Sequence, residues 1–319
     1  MHSPALIKQS KPFFPGLCLC LVLLSAPGCS IKKMAINRLG DALAGSGTTF
    51  ASDDDPELIR AAVPFSLKLI ESLLAESPRH RGLLLAACSG FTQYSFAFVN
   101  QDADEKEDSD LAAANALRAR AKRLYLRARG YGLRGLEVKH PSFEQSLRKD
   151  AKAAAREATV ADVPLLYWTA AAWGAAIAIS KDDPALVSDQ PFVEALIDRA
   201  LELDEDFDRG AIHGFLISYE MARQGAKGDA ADRARKHFDR AMELAKGRLA
   251  SPLVSLAEAV AVQQQDRAGF ESLLRRALAI NPDATPETRL QNLVAQRRAR
   301  WLLGRVDELF LDGVKSDSK

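Results

Sequence analysis

Along most of the chain apolar residues return at steps of three and four, the spacing that places them on one face of an α-helix. Leu67, Ile70 and Leu74 form one such run and Leu83, Leu84, Ala87, Phe91 and Tyr94 the next, with Ser77-Pro78 between them. This pattern predicts a helical hairpin. Leu111 opens another helix with the stripe Leu117, Ala121, Leu124 and Ala128, and Gly130, Gly132 and Gly135 are expected to close it. A charged, Ala-rich helix is expected from about Phe143 to Ala158. The stretch from Leu165 to Ile179 is apolar on every side and short for a bilayer span. It predicts a central helix wrapped by neighbours, its Ala and Gly residues allowing close approach. No convincing period-two strand interrupts the helical pattern.

A repeat organises the second half. Arg199-Ala200-Leu201-Glu202-Leu203, Arg240-Ala241-Met242-Glu243-Leu244 and Arg276-Ala277-Leu278-Ala279-Ile280 are one motif at offsets of 41 and 36 residues. These offsets lie near the roughly 34 of a tetratricopeptide unit. Each copy is expected to end a helix before a turn (Asp204 to Asp208, Gly247 to Pro252, Asn281-Pro282-Asp283), and Leu69 to Leu74 reads as a weaker fourth copy. A lone hairpin cannot bury its apolar face, so the copies must stack. The fold class expected is all-α, with tetratricopeptide-like hairpins stacked into a superhelical array.

The N-terminus has a different pattern. Lys8 and Lys11 precede an apolar run from Leu17 to Leu24, then Ser25, Ala26 and Gly28 stand before Cys29. That order is a secretory signal, with an apolar core well short of the roughly 20 residues of a spanning helix. Ala26-Pro27-Gly28-Cys29 resembles a bacterial lipobox, with Ala26 where Leu is usual; plain cleavage at another bond is the alternative. Lipidation of Cys29 would anchor the chain through two acyl chains, and Ser30 in place of Asp favours the outer membrane. The expected organisation is a signal peptide (1–28), a lipidated tether with a short helix (29–55), a helical repeat domain (56–312) and a polar tail (313–319).

Cysteine and charge narrow the classes. Cys18 and Cys20 leave with the signal and Cys29 is used by lipid, so Cys88, inside an apolar run, is expected to be a buried inert thiol with no disulfide partner. The formal charge of +1 over 319 residues becomes −1 once Lys8 and Lys11 are removed, which gives no electrostatic case for nucleic acid. Asp102, Asp104, Glu105, Glu107, Asp108 and Asp110 read as a solvated acidic loop, since the glycine and terminal Glu of a calcium loop are missing. Arg118, Arg120, Lys122, Arg123, Arg127 and Arg129 read as a solvated basic face or a contact with an acidic partner. No G-x-S-x-G, phosphate-binding glycine loop, H-E-x-x-H or C-x-x-C in the mature chain points to an enzyme, cofactor or metal site.

Leu166-Tyr167-Trp168, Ala172-Trp173-Gly174-Ala175-Ala176, Arg199 to Asp204, Gly210-Ala211-Ile212-His213, His237-Phe238 and Arg289-Leu290-Gln291-Asn292 together resemble the TRAP transporter T-component family, lipoproteins often called TatT. The resemblance runs from about Ile36 to Phe310, and the atypical lipobox is its main departure. It implies a periplasm-facing, lipid-tethered helical protein, non-enzymatic, assembling as a homotrimer. It also implies a partner, the periplasmic solute-binding protein of a TRAP system, with hydrophobic organic acids or lipid-like molecules as ligands. A general tetratricopeptide scaffold for outer-membrane or cell-wall assembly is the alternative function.

Candidate ligand-binding residues are Tyr94, Tyr167, Trp168, Trp173 and His213. Aromatic side chains give a pocket large contact area with a polar tip. Trp168 and Trp173 lie about 140° apart around a helix, so both cannot face one pocket and core packing is the competing role. His213, at a helix start, is either a buried, satisfied histidine or a group that bonds a ligand.

Overall fold

The computed structural model describes Arg38 and residues 47–311, and among the described residues every regular element is helical. In chain order the α-helices are α1 (Gly47–Ala51), α2 (Pro56–Glu76), α3 (Arg81–Tyr94), α4 (Gln101–Lys106), α5 (Leu111–Glu137), α6 (Phe143–Lys149), α7 (Ala151–Arg156), α8 (Val163–Ala178), α9 (Pro184–Val187), α10 (Gln190–Leu203), α11 (Phe207–Tyr219), α12 (Ala230–Leu244), α13 (Ser251–Leu256), α14 (Arg267–Ala279), α15 (Arg289–Leu303) and α16 (Val306–Leu309). The signal segment, Cys29, most of the tether and the polar tail lie outside the described residues.

Aspartate starts these helices. The side chains of Asp55, Asp110, Asp150, Asp183, Asp229 and Asp266 each accept a hydrogen bond from a backbone N–H in the first turn of the helix that follows. A carboxylate there satisfies an N–H that has no partner within the helix and sits at the positive end of the helix dipole. Asp150 also explains a difference from the sequence pattern. The Phe143 to Ala158 segment is two helices, because Asp150 leaves α6 in an extended conformation and caps α7.

The repeat motif lands where its spacing predicts. Its copies end α10, α12 and α14, and each helix packs on the one that follows, α11, α13 and α15 respectively. The central alanines Ala200, Ala241 and Ala277 are buried to 1% exposure or less, because a small side chain is what lets neighbouring helices meet there. The weaker copy ends in α2, whose partner is α3.

At the centre, α8 packs against α3, α5 and α10 and touches α11. Leu166, Ala170, Ala172, Trp173 and Ala176 on it are fully buried. By length and composition Arg81–Lys106 and Val160–Ala178 are each apolar enough to cross a membrane, and half or more of each apolar window is buried against neighbouring helices. The α5 glycines do not stop that helix, which continues to Glu137. A Cβ at Gly132 would run into Thr169 Oγ1 and Cys88 Sγ, and one at Gly135 would lie 2.6 Å from Leu165 Cδ2. These glycines bring the α5 backbone against α8 and α3.

Behind that contact, the carboxylate of Asp162 is wholly buried at the N-terminus of α8. It accepts from the Thr159 amide and hydroxyl, both at 2.9 Å, lies 3.1 Å from His140 Nε2 and pairs with Arg81. Burial pushes this carboxyl up, and the Thr159, His140 and Arg81 contacts outweigh it and hold it below the usual carboxylate range.

The apolar interior forms two clusters. One runs through α2, α3, α5, α8 and α10, and the other through α12 to α16, and they meet in α11, where Leu216 belongs to the first and Ile217 to the second. The described ends also meet. Both α1 and α2 contact α15, and Arg289 donates to the Ser52 carbonyl at 2.8 Å.

The glycine reading is testable by two substitutions on one helix. Gly130→Ala, where a Cβ meets nothing within 4 Å, should raise stability by roughly 1 kcal/mol through helix propensity. Gly132→Ala should lower it by about 1–3 kcal/mol through overpacking. Urea midpoints of the two variants, moving in opposite directions, are the check.

Candidate functional site

The candidate residues occupy four surroundings. Tyr167 and Trp168 are together on α8, ring centroids 4.9 Å apart and edge to face, with Phe207 of α11 at 5.4 Å from Tyr167. Both are half-buried. Burial, with Asp208 nearby, pushes the Tyr167 phenol well above its ordinary value, so it is a neutral hydroxyl. Trp173 is fully buried on another face of α8, as the angular offset requires. Its Nε1 donates to Asp189 Oδ2 at 3.2 Å and the Arg129 guanidinium lies over its ring at 4.7 Å. Its polar edge is therefore taken up inside the fold.

Tyr94 belongs to a ladder of arginines on aromatic rings between α3 and α5. Arg120 lies over Tyr94 at 5.8 Å, Arg127 over Phe91 at 5.0 Å and Arg134 over Tyr131 at 5.3 Å, while Phe91 and Tyr131 stack at 6.0 Å. Such contacts attract a cation to the negative face of a ring. Glu71 locks the ladder, accepting from the Tyr131 hydroxyl at 2.6 Å and pairing with Arg127 at 2.6 Å. The sequence carries a signal for this ladder in the seven-residue spacing of Arg120, Arg127 and Arg134. Arg118, Lys122 and Arg129 are also internally paired, with Glu107 and Asp104, with Asp183 and with Asp189. Most of the basic face is thus engaged by partners within the chain, although Arg120, Arg123 and Arg127 remain exposed.

His213 is 5% exposed, and its Nδ1 lies 2.8 Å from His237 Nδ1 on α12. Its Nε2 is 3.5 Å from Glu205 Oε2. Cys88 is fully buried beside Thr169 and Gly132, and burial pushes its thiol up to about 12, so it is protonated. Among the described residues no group of three or more His, Cys, Asp and Glu side chains is placed to hold a metal ion.

The acidic segment departs most from the sequence expectation. Only its second half is a solvated loop: Gln101–Lys106 is a helix with ion-paired carboxylates, and Glu107, Asp108 and Asp110 lie exposed in the turn that follows. Asp102 pairs with Arg60 and with Arg297 at 2.8 Å, and Glu105 with Arg297 at 2.5 Å. Asp104 pairs with Arg298 at 2.7 Å, and Asp108 with Arg305. Arg298 also reaches Glu258 at 2.6 Å. Burial works against its charge, and Glu258 and Asp104 raise its pKa above the ordinary value. This clasp joins residues about 195 apart in the chain.

Two surface cavities are lined by other residues. One of about 390 Å³ lies between Arg267, Glu271, Arg275 and the Leu303–Asp307 turn, and one of about 260 Å³ lies between Arg81, Gly82, Leu85, Ala161, Pro164 and Leu165. The second is an apolar dimple beside Val160, which is itself exposed. Aromatic faces, apolar dimples and internally neutralised charge are suited to recognition.

A family model described as TRAP transporter T-component matches residues 52–310, the whole stack of helices from α2 to α16. The chain belongs to the TRAP transporter T-component family. It is also similar to an uncharacterized protein of Treponema pallidum (strain Nichols), 30% identical over 311 residues that cover 91% of this chain and 95% of that relative. A T-component is an accessory of a TRAP transport system, so the surfaces above belong to a transport accessory.

The clasp makes a specific energetic demand on this T-component. Arg298→Ala leaves Asp104 and Glu258 short of a partner. It should cost about 2–3 kcal/mol, less than the ~3–5 of a wholly buried pair because a fifth of the side chain is exposed. Arg275→Ala, whose partner Glu271 it meets at the surface, should change stability by less than about 0.5 kcal/mol. Chemical denaturation of both variants separates the cases.

Proposed function

We propose that this chain is the lipid-anchored, periplasm-facing accessory subunit of a TRAP-type importer, acting by docking the solute-binding protein that supplies the permease. The observation that carries this reading is the T-component match across residues 52–310. In this reading Cys29 is the lipidated residue and the outer membrane is where the chain is anchored. The protein works as a homotrimer and catalyses no reaction. A hydrophobic organic acid is held or passed along an aromatic surface, with Tyr167, Trp168 and Phe207 as the supporting cluster. Half-buried rings with a neutral phenol can cover the apolar part of such a ligand and bond its polar end.

Mature protein from Ser30 to Lys319, used to pull down partners from periplasmic extract and examined by native mass spectrometry, should recover a solute-binding protein with a small acid retained. Recovery of cell-wall or assembly factors in its place sinks the docking reading and favours a general scaffold. Anchoring is tested separately. Cys29→Ser should abolish incorporation of labelled fatty acid and release the chain from the membrane fraction, and unchanged labelling would rule out Cys29.

A further inference from the structure

The start of α11 is built unusually. Asp208, Arg209 and Gly210 have φ of 43°, 56° and 84°, three successive left-handed residues, of which only the glycine adopts that region freely. Backbone held this way persists where surrounding structure over-determines it, and it clusters at functional positions. Here it delivers His213 into the interface between α11 and α12, against His237. That interface is also where the two apolar clusters meet, at Leu216 and Ile217.

Two ring nitrogens 2.8 Å apart can be hydrogen-bonded only if one carries a hydrogen and the other offers a lone pair. The accepting imidazole must therefore be neutral. One proton can be shared across the contact, but a second leaves both rings charged and sets two N–H groups and two positive rings against each other. We propose that the His213–His237 contact is a proton-sensitive joint, closed at neutral pH and opened by mild acid, through which the helices of the second apolar cluster loosen against those of the first.

The surrounding charges leave the imidazoles as the groups that change. Glu205 and Asp206 from the preceding turn and Arg240 from α12 face His213. Glu220 and Arg223 near the end of α11 and Arg233 from α12 face His237. Arg240 holds the Glu205 carboxyl below its usual range, and Glu220 is paired with both Arg223 and Arg233. Burial lowers the pKa of His213, and burial together with the neighbouring His213 takes His237 down to about 4. Because both values lie below those of the unfolded chain, the stability of the closed joint is fully present above about pH 6.5. It is lost progressively as pH falls from there toward about 4.

Hydrogen exchange of the full chain at pH 7.5 and pH 5, corrected for intrinsic rates, tests this. The opening equilibrium of α11 and α12 should rise roughly 30-fold at pH 5, with α3 and α5 unchanged, and His237→Gln should reduce the difference between the two pH values to the smaller part that buried His213 carries alone. Equal protection at both pH values, or wild-type pH dependence in His237→Gln, overturns the proposal. Should that variant not fold, imidazole proton resonances of the wild type decide: depressed titration of both rings supports the joint, and titration of both near 6.5 overturns it.

Discussion

A helix that is apolar on every face has to be surrounded, and the rest of this protein follows from where α8 finds its neighbours. Water is unfavourable on each of its sides, so α3, α5 and α10 close around it with α11 at its end. Near approach needs small residues on both partners. Ala170, Ala172 and Ala176 provide them on α8, and Gly132 and Gly135 provide them on α5. Asp162, buried at the helix start and tied to Arg81 and His140, fixes the rotation and depth of α8 within that ring of helices.

Charge then organises what apolar burial leaves loose. The acidic helix α4 has the composition of a solvated loop, yet it sits between arginines from α2, α5 and α15. Each arginine there meets two carboxylates or more, a planar fork shared between acceptors, which makes the pairs a network with fixed geometry. Arginines of α5 over Phe91 and Tyr94, with the Phe91–Tyr131 stack, do the equivalent work between α3 and α5. Much of the charge on α4, α5 and α15 is thereby paired within the molecule, while the half-buried Tyr167–Trp168 pair and the apolar dimple beside Arg81 stay in contact with solvent.

The helical class, the hairpin repeat and the central position of α8 were legible in the sequence because each rests on local spacing. A three-to-four step and a recurring Arg-Ala-Leu-Glu-Leu survive any tertiary arrangement. The glycines of α5 were misread as a stop because the same residue type ends helices and permits close packing, and only the partner backbone tells which. Gln101–Lys106 was misread because its carboxylates are neutralised by Arg297 and Arg298, and no local pattern links them. Of the candidate site, the contact of Tyr167 with Trp168 was adjacent in sequence and visible. The union of His213 with His237 across 24 residues was not, since it depends on the left-handed entry to α11.

The clasp between α4 and α15 changes what kind of polymer this is. In an open stack of hairpins each unit touches only its neighbours, so terminal units can fray one at a time and folding can start anywhere and spread. Arg297, Arg298 and Arg305 join the end of the stack to a segment near its beginning. The end hairpins gain a second set of neighbours, and melting one of them exposes charged groups on the other. Pairs between groups this far apart in the chain close a long loop, so they can form only after the intervening helices have brought the two segments within reach.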